Sequence, residues 1–153
     1  MSNTVKCRYK NCIHDNKEID KSEAIQVNKS YYHKDCYETK EDISKIIDLF
    51  TKHINSNVIY NVLVRVINDI IFNKHNESKF LLYELQYYIA KKIPLNYPQG
   101  LYYVIQNKDV MNNYNKYKAQ QLIKDEKLVL NQTKEVEFEF KPIKTKGFGD
   151  ILQ

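Results

Sequence analysis

Apolar residues recur at helical spacing through the middle of this 153-residue chain. In the segment KEDISKIIDLFTKHI they stand at i, i+3, i+4, i+7 and i+11, and Thr39 precedes the segment as a candidate N-cap. The segment NVIYNVLVRVINDIIF repeats apolar pairs every four residues, which predicts a largely buried helix. Both patterns are typical of helices that pack against one another.

Three further segments predict the helices that complete a helical domain over residues 43–127. KFLLYELQYYIAKKI ends before Pro94, and QGLYYVIQN follows the extended turn PLNYP with Pro98 near its start. The last segment, DVMNNYNKYKAQQLIKDEK, is more polar. Its apolar side is predicted to carry Val110, Tyr114, Tyr117 and Leu122.

The two ends of the chain lack this periodicity. Residues 1–42 contain all three cysteines and many turn formers, and residues 128–153 contain the alternating run VEFEF, which predicts a single edge strand at 136–140 before a flexible tail. Three apolar residues near the end of the tail resemble a linear peptide motif that docks elsewhere, and the alternative is a frayed terminus. These residues are Phe148, Ile151 and Leu152.

Four residues of the N-terminal module have the chemistry and the spacing of a zinc site. They follow the pattern C-x4-C-x20-H-x2-C and are Cys7, Cys12, His33 and Cys36. Two close pairs separated by about 20 residues supply four soft or borderline donors for a tetrahedron, and such a closed set marks a structural zinc ion, one per chain. An odd number of cysteines in a cytosolic chain also favours metal binding over disulfides.

Two alternatives to this ligand set stay open. His14 follows Cys12 by two residues, so the pair Cys12/His14 could replace Cys7/Cys12. The other alternative is three buried or free cysteines with no metal. His53 and His75 lie far along the chain, within or just after predicted helices, and are interpreted as surface residues.

The sequence lacks the motifs that usually accompany catalysis. Asp35 stands between His33 and Cys36, but neither the H-x-E…P-C-x-x-C arrangement of deaminases nor the H-E-x-x-H motif occurs. Three glycines cannot build a phosphate-binding loop, and no serine sits in a nucleophile elbow. We therefore predict a protein that is not an enzyme.

The positive charge of the chain is concentrated in its middle. The net charge is +5, and residues 43–130 carry twelve basic against seven acidic residues. Lysines interleave with tyrosines there, an arrangement that suits stacking on single-stranded nucleic acid, although one tyrosine of each doublet can equally belong to the core. The candidate binding residues are Lys91, Lys92, Tyr114, Lys116, Tyr117 and Lys118.

The chain shows no targeting or membrane signal. No stretch approaches about 18 consecutive apolar residues, and the N-terminus MSNTVKCRYK lacks an apolar h-region. We expect a soluble cytoplasmic protein from which nothing is cleaved.

The string KSYYHKDCY resembles the middle of a LIM-type or PARP-type treble-clef finger, where an aromatic residue precedes H-x-x-C and another follows. The resemblance covers residues 5–42, and it implies a treble-clef-like knuckle with a short β-hairpin and Cys7, Cys12, His33 and Cys36 as zinc ligands. It departs from the LIM pattern in the C-x4-C pair and in the missing second zinc module. Such fingers bind protein or DNA. The fold class predicted is mainly α, with this small zinc knuckle and a C-terminal edge strand.

The combination of YHKDCY with LNYPQGLYYVIQN resembles a family of small phage and prophage proteins of low-G+C Gram-positive bacteria, over nearly all of the chain. This resemblance implies a protein that binds a host protein or nucleoprotein complex in the bacterial cytoplasm, such as the RNA-guided nuclease of a type II CRISPR system, and inhibits it. The alternative is a DNA-binding accessory factor of phage replication or recombination, in which residues 43–130 contact phosphate.

Overall fold

The computed structural model describes the backbone of residues 3–133 and the side chains of residues 3–127. The chain divides into two compact units, Met1–Lys116 and Tyr117–Gln153. The predicted edge strand at 136–140 and the apolar tip of the tail lie outside the described residues.

Two small antiparallel hairpins form the N-terminal part of the first unit. Strand β1 (Thr4–Lys6) pairs with β2 (Glu18–Asp20), and β3 (Ile25–Val27) pairs with β4 (Ser30–Tyr32). Asn28 and Lys29, between β3 and β4, both have positive φ angles of 47° and 64°, which a two-residue turn of the I′ type requires. A bridge between Cys7 and Tyr31 joins the two hairpins, so the end of β1 lies beside β4.

Helices make up most of the remaining described chain, as the sequence predicted. Their bounds are α1 Lys34–His53, α2 Tyr60–Asn68, α3 Ser78–Ala90, α4 Leu101–Val104 and α5 Lys108–Thr133. A π-helical turn, Asp69–Asn73, continues α2, and a 3-10 turn, Pro98–Gly100, leads into α4. The predicted fold class, mainly α with a small N-terminal Cys/His knuckle, is confirmed for the described part of the chain.

Helix α1 begins earlier than the apolar pattern indicated. Thr39 was expected at the N-cap, but it lies inside the helix, whose N-cap position is His33. The apolar repeat starts only at Ile43, because the first turns of α1 bury Cys36 and Asp42 rather than aliphatic side chains. The predicted N-cap is therefore wrong, and the candidate ligand pair occupies the start of the helix instead.

The π-helical turn explains the period-four pattern of α2. Apolar pairs repeated every four residues advance about 40° per turn beyond the 3.6-residue α-helical period, so the buried face drifts around a regular helix. A wider π turn absorbs the extra residue, and both Ile70 and Ile71 are buried within it. The predicted helix is thus present, although its α-helical part is shorter than the pattern.

The core of the first unit lies between α1, α2, α3 and α4. Its fully buried large side chains include Ile46, Phe50, Leu63, Ile67, Ile70, Leu81, Leu85 and Leu101. Helix α5 adds Val110 and Tyr114, whereas Tyr117 and Leu122 are 46% and 60% exposed. The predicted apolar side of α5 is therefore buried only over its first two members.

One ring contact joins the knuckle to this core, and two polar contacts add to the apolar packing of α1 against α3. The rings of Tyr9 and Phe72 have centroids 6.4 Å apart. The Ser78 hydroxyl donates to the buried Asp42 carboxylate at 2.8 Å, so the first residue of α3 is tied to α1. Lys79 and Glu38 form a 2.7 Å ion pair between the same two helices.

None of the described helices combines the length and the apolarity that crossing a membrane requires.

Glu84 on α3 is an acidic side chain inside this core. It is fully buried, and neither carboxylate oxygen has a hydrogen-bond partner among the described residues. Burial raises the pKa of Glu84 to about 8, because an unpaired charge is costly away from water. The native state therefore keeps this carboxyl protonated over a pH range in which the unfolded chain, with a pKa near 4.3, has released the proton.

This difference predicts that the free energy of unfolding falls as pH rises from about 5 to 8, by up to about 1.4 kcal/mol per pH unit from Glu84. The variant Glu84→Gln removes the titrating group, so it should flatten that slope and be more stable than the wild type at pH 8. Urea denaturation followed by circular dichroism at several pH values measures both. Glu126→Gln, at an exposed position of α5, is the control; parallel pH curves for Glu84→Gln and wild type would contradict the prediction.

Candidate metal centre

The fold brings the four predicted donors together in the N-terminal part of the first unit. Cys7 directly follows β1, and Cys12 lies in the turn beyond it, where its backbone N–H donates to the Tyr9 carbonyl at 3.3 Å. His33 precedes α1, and Cys36 lies in the first turn of that helix. The three sulfurs and one imidazole nitrogen all lie within 4.8 Å of one another. This four-donor cluster could hold a metal ion.

Two nitrogen–sulfur distances within the cluster are close to those of tetrahedral coordination. With metal–sulfur bonds of about 2.3 Å and a metal–nitrogen bond of about 2.0 Å, a sulfur and a nitrogen ligand are about 3.5 Å apart and two sulfurs about 3.8 Å. The Nδ1 atom of His33 lies 3.5 Å from the Cys12 sulfur and 3.9 Å from the Cys36 sulfur. The donors are thus already spaced for one ion.

His33 presents its ring in the orientation that a metal ligand needs. Its Nε2 lies 3.2 Å from the carbonyl oxygen of Glu18 on β2, so the proton is assigned to Nε2, which donates to that oxygen. The Nδ1 atom that faces the sulfurs then carries the free lone pair. A second ring nitrogen bonded to a carbonyl or carboxylate is the usual partner of a metal-bound histidine, since it fixes tautomer and orientation.

The electrostatics of the thiols also favour a cation at their centre. Burial would raise the pKa of Cys7, but hydrogen bonds from the backbone of His33 and of Tyr9 outweigh it and lower this pKa. The pKa of Cys36 is raised, first by burial and then by the neighbouring Cys12, Cys7 and Asp35. The cluster therefore favours the thiolate of Cys7 and disfavours that of Cys36, and a positive ion among the sulfurs would stabilise both as thiolates.

His14 lies outside the four-donor cluster but next to it. Its ring stacks on that of His33, with centroids 3.8 Å apart. Its Nε2 lies 3.0 Å from an oxygen of Asp35, whose other oxygen accepts the backbone N–H of Cys36 at 2.8 Å. The geometry thus groups His33 and Cys36 with the pair Cys7/Cys12, while His14 pairs with Asp35.

The candidate nucleic-acid residues lie just after α3 and on α5, and one of them, Tyr114, is buried. Tyr114 is 7% exposed, packs its ring against Phe80 and Tyr83 and donates its hydroxyl to Glu77. A base cannot stack on Tyr114 unless this packing opens, so its assignment as a stacking residue is corrected.

The remaining candidates are not in the core. Lys91 and Lys92 follow the end of α3 and are exposed, and the Lys91 ammonium lies 5.9 Å from the centre of the Tyr87 ring. Lys116, Tyr117 and Lys118 are exposed positions of α5. Their arrangement supplies surface charge beside aromatic rings.

Sequence reasoning missed an apolar groove at the far end of α1. The segment between α1 and α2 and the 3-10 turn before α4 enclose about 340 Å³, and the lining residues carry no charge. They are Asn55, Asn57, Val58, Ile59, Val62, Tyr97, Pro98 and Gln99. Ile59 and Tyr97 remain 68% and 71% exposed. The only signal in the sequence was the string PLNYP, because the two walls are almost 40 residues apart along the chain.

The fold and site together define a helical protein with an N-terminal Cys/His knuckle that could hold a metal ion. The chain matches no protein-family model, no curated protein and no solved structure in the comparisons made. Its function is therefore inferred from the chemistry of the site itself.

Replacing Cys36 should unfold the knuckle while the helical core stays folded. Cys36→Ser removes a buried donor from the cluster, so metal affinity should fall at least about a hundredfold and residues 3–33 should lose protection against amide exchange. The helices keep their aliphatic core, so most of the helical circular dichroism should remain. Hydrogen exchange read by mass spectrometry tests both statements, with the exposed Ser22→Ala as control. Loss of protection throughout residues 34–116 would show that the core depends on the metal.

Proposed function

We propose that the four-donor cluster binds one zinc ion per chain and that this ion is structural. The observation that supports zinc is the donor set, since three thiolates and one imidazole at tetrahedral spacing suit a borderline-soft d10 ion. Four protein donors fill all the positions of a tetrahedral ion, which leaves none for water or substrate. The zinc then fixes the knuckle on the start of α1 and supplies no chemistry of its own.

We also propose that the protein acts by binding a macromolecular partner rather than by catalysis. The apolar groove supports a protein partner, because an uncharged recess beside two exposed large side chains, Ile59 and Tyr97, has the composition of an interface hot spot. A nucleic-acid strand requires cations along its path, and the groove lining has none.

The more specific form of this proposal follows from the resemblance to small phage proteins. The partner is then a host nucleoprotein complex in the bacterial cytoplasm, with a type II CRISPR nuclease as the first candidate, and the protein inhibits it. The second candidate is DNA binding, which the excess of basic residues over 43–130 favours. The lysines at the end of α3 and on α5 are the residues that would contact phosphate.

Zinc content tests the first proposal. Protein dialysed against metal-free buffer should contain about one zinc per chain by elemental analysis, and stripping it with a chelator should release the ion and unfold the knuckle. His33→Ala should lower zinc retention, whereas the surface variant His75→Ala should not. A wild-type protein that keeps a folded knuckle without metal would overturn the structural role.

A binding and cleavage assay tests the partner. The protein should co-elute with a type II RNA-guided nuclease and slow its DNA cleavage, and Ile59→Asp or Tyr97→Ala should weaken both effects at least tenfold by removing apolar contact. The control is Tyr103→Ala, which changes an equally exposed tyrosine (76%) that does not line the groove.

The groove variant Tyr97→Ala and the loss of two lysines distinguish DNA binding from binding to the nuclease. DNA binding predicts a shift of labelled single- or double-stranded DNA that weakens steeply with salt and with loss of Lys91 and Lys92, and that does not respond to Tyr97→Ala. Failure to bind any effector of a type II panel, together with no DNA shift at about 50 mM salt, contradicts both candidates.

A further inference from the structure

A second group of side chains that could hold a metal ion lies against the four-donor cluster. His14, Asp35 and Cys36 bring an imidazole nitrogen, a carboxylate oxygen and a sulfur within 4.8 Å of one another. Cys36 belongs to both groups, so the two groups share one donor. Cys36 is buried, whereas His14 and Asp35 are exposed, and the second group therefore opens to solvent.

The imidazole and the carboxylate are almost at the spacing of two ligands on one ion. Nε2 of His14 lies 3.0 Å from one oxygen of Asp35 and 3.2 Å from the other. A nitrogen and an oxygen ligand, each about 2.0–2.1 Å from a tetrahedral ion, are about 3.3 Å apart. An ion can therefore replace the proton between them with a small outward movement of either side chain.

Both side chains are held in place by contacts with the first cluster. Stacking on the His33 ring, at 3.8 Å between centroids, fixes the plane of His14. The backbone N–H of Cys36 donates to Asp35 at 2.8 Å, so the carboxylate is anchored beside the sulfur that it would join on an ion. These contacts therefore fix the positions of the imidazole and the carboxylate.

The recess in front of these donors has room for the remaining ligands. It encloses about 680 Å³, and its other lining residues are Ile19, Glu23, His33, Lys34, Glu38 and Lys79. Glu38 is held by Lys79 in a 2.7 Å ion pair, whereas His14, Asp35 and Glu23 also line the recess. Water can complete the coordination of an ion that has three protein ligands.

The charge of the combined site also favours a second cation. Three thiolates and the Asp35 carboxylate carry four negative charges, and a single dication leaves two of them unbalanced. A second dication brings this donor set to neutrality. A thiolate sulfur retains lone pairs after binding one ion, so Cys36 can bind two ions at once.

We propose that His14, Asp35 and the bridging sulfur of Cys36 form a second, weaker site for a divalent transition-metal ion such as zinc or cadmium, completed by water. The site goes beyond the structural zinc ion, and it requires that ion only in so far as Cys36 is a ligand of both. The knuckle then binds two metal ions at a high concentration of free metal and one ion at a low concentration.

Metal stoichiometry tests the second site in the full-length protein. Native mass spectrometry and a zinc titration of protein that already holds one equivalent should show a second equivalent, bound at least tenfold more weakly than the first. His14→Ala and Asp35→Asn should each retain the first equivalent and lose the second. Two controls should still bind two ions: Glu23→Gln, which alters the same recess outside the donor group, and His75→Ala, which removes a surface imidazole elsewhere.

Cadmium-113 NMR tests the shared sulfur. Protein loaded with two equivalents of cadmium should give two resonances with a mutual scalar coupling, and His14→Ala should give one. Saturation of the wild type at one equivalent overturns the second site and leaves the structural zinc intact, whereas a wild type that binds no metal overturns both. A second equivalent that survives in His14→Ala, or two resonances without coupling, also overturns the proposed site.

Discussion

The constraint on which the N-terminal part of this protein depends is the approach of three thiols to one imidazole. Cys7 and Cys36 are 5% and 3% exposed, and buried thiolates at this spacing repel one another unless a cation lies between them. The surrounding strands have only three residues each. So short a module cannot bury enough apolar surface to be stable alone. Under the proposed function, binding of an ion to the four donors supplies the free energy that packing does not.

Helix α1 joins the four-donor cluster to the helical core of the first unit. Its first turn holds Cys36 and its later turns place Ile46 and Phe50 in the aliphatic core. Between them the buried Asp42 accepts the Ser78 hydroxyl. One rigid element therefore belongs to both the knuckle and the helical core. This arrangement fixes the orientation of the knuckle against the core while each keeps its own source of stability.

The sequence allowed the donors and the helices to be predicted because both follow from local spacing. The four candidate donors are the three cysteines of the chain and the histidine of its one H-x2-C motif, and five helical segments show apolar periodicity. What could not be predicted depends on contacts between distant residues. Tyr114 has the same sequence context as exposed tyrosines, and only its packing on Phe80 and Tyr83 removes it from the surface.

Two other features were hidden for related reasons. Glutamate usually lies on the solvated face of a helix. Glu84 is instead fully buried, because the helices around it cover the carboxyl. The start of α1 was hidden because Cys36, a candidate metal ligand, is the first buried residue of the helix in place of an aliphatic one. Apolar periodicity cannot report a helix turn whose buried side chain is a cysteine, so the N-cap was predicted too late in the sequence.

Under the proposed function, the charge and the groove act on different steps of binding. The excess of lysine over residues 43–130 lies on exposed positions, and such a field raises the rate of encounter with an anionic nucleoprotein without selecting one. Selection requires desolvated contacts of defined shape, which the uncharged lining around Ile59 and Tyr97 can supply. Salt should then slow association, whereas substitutions in the groove should accelerate dissociation. The distinction matters because basicity alone would suggest that nucleic acid is the ligand, when it can equally serve a protein partner that carries nucleic acid.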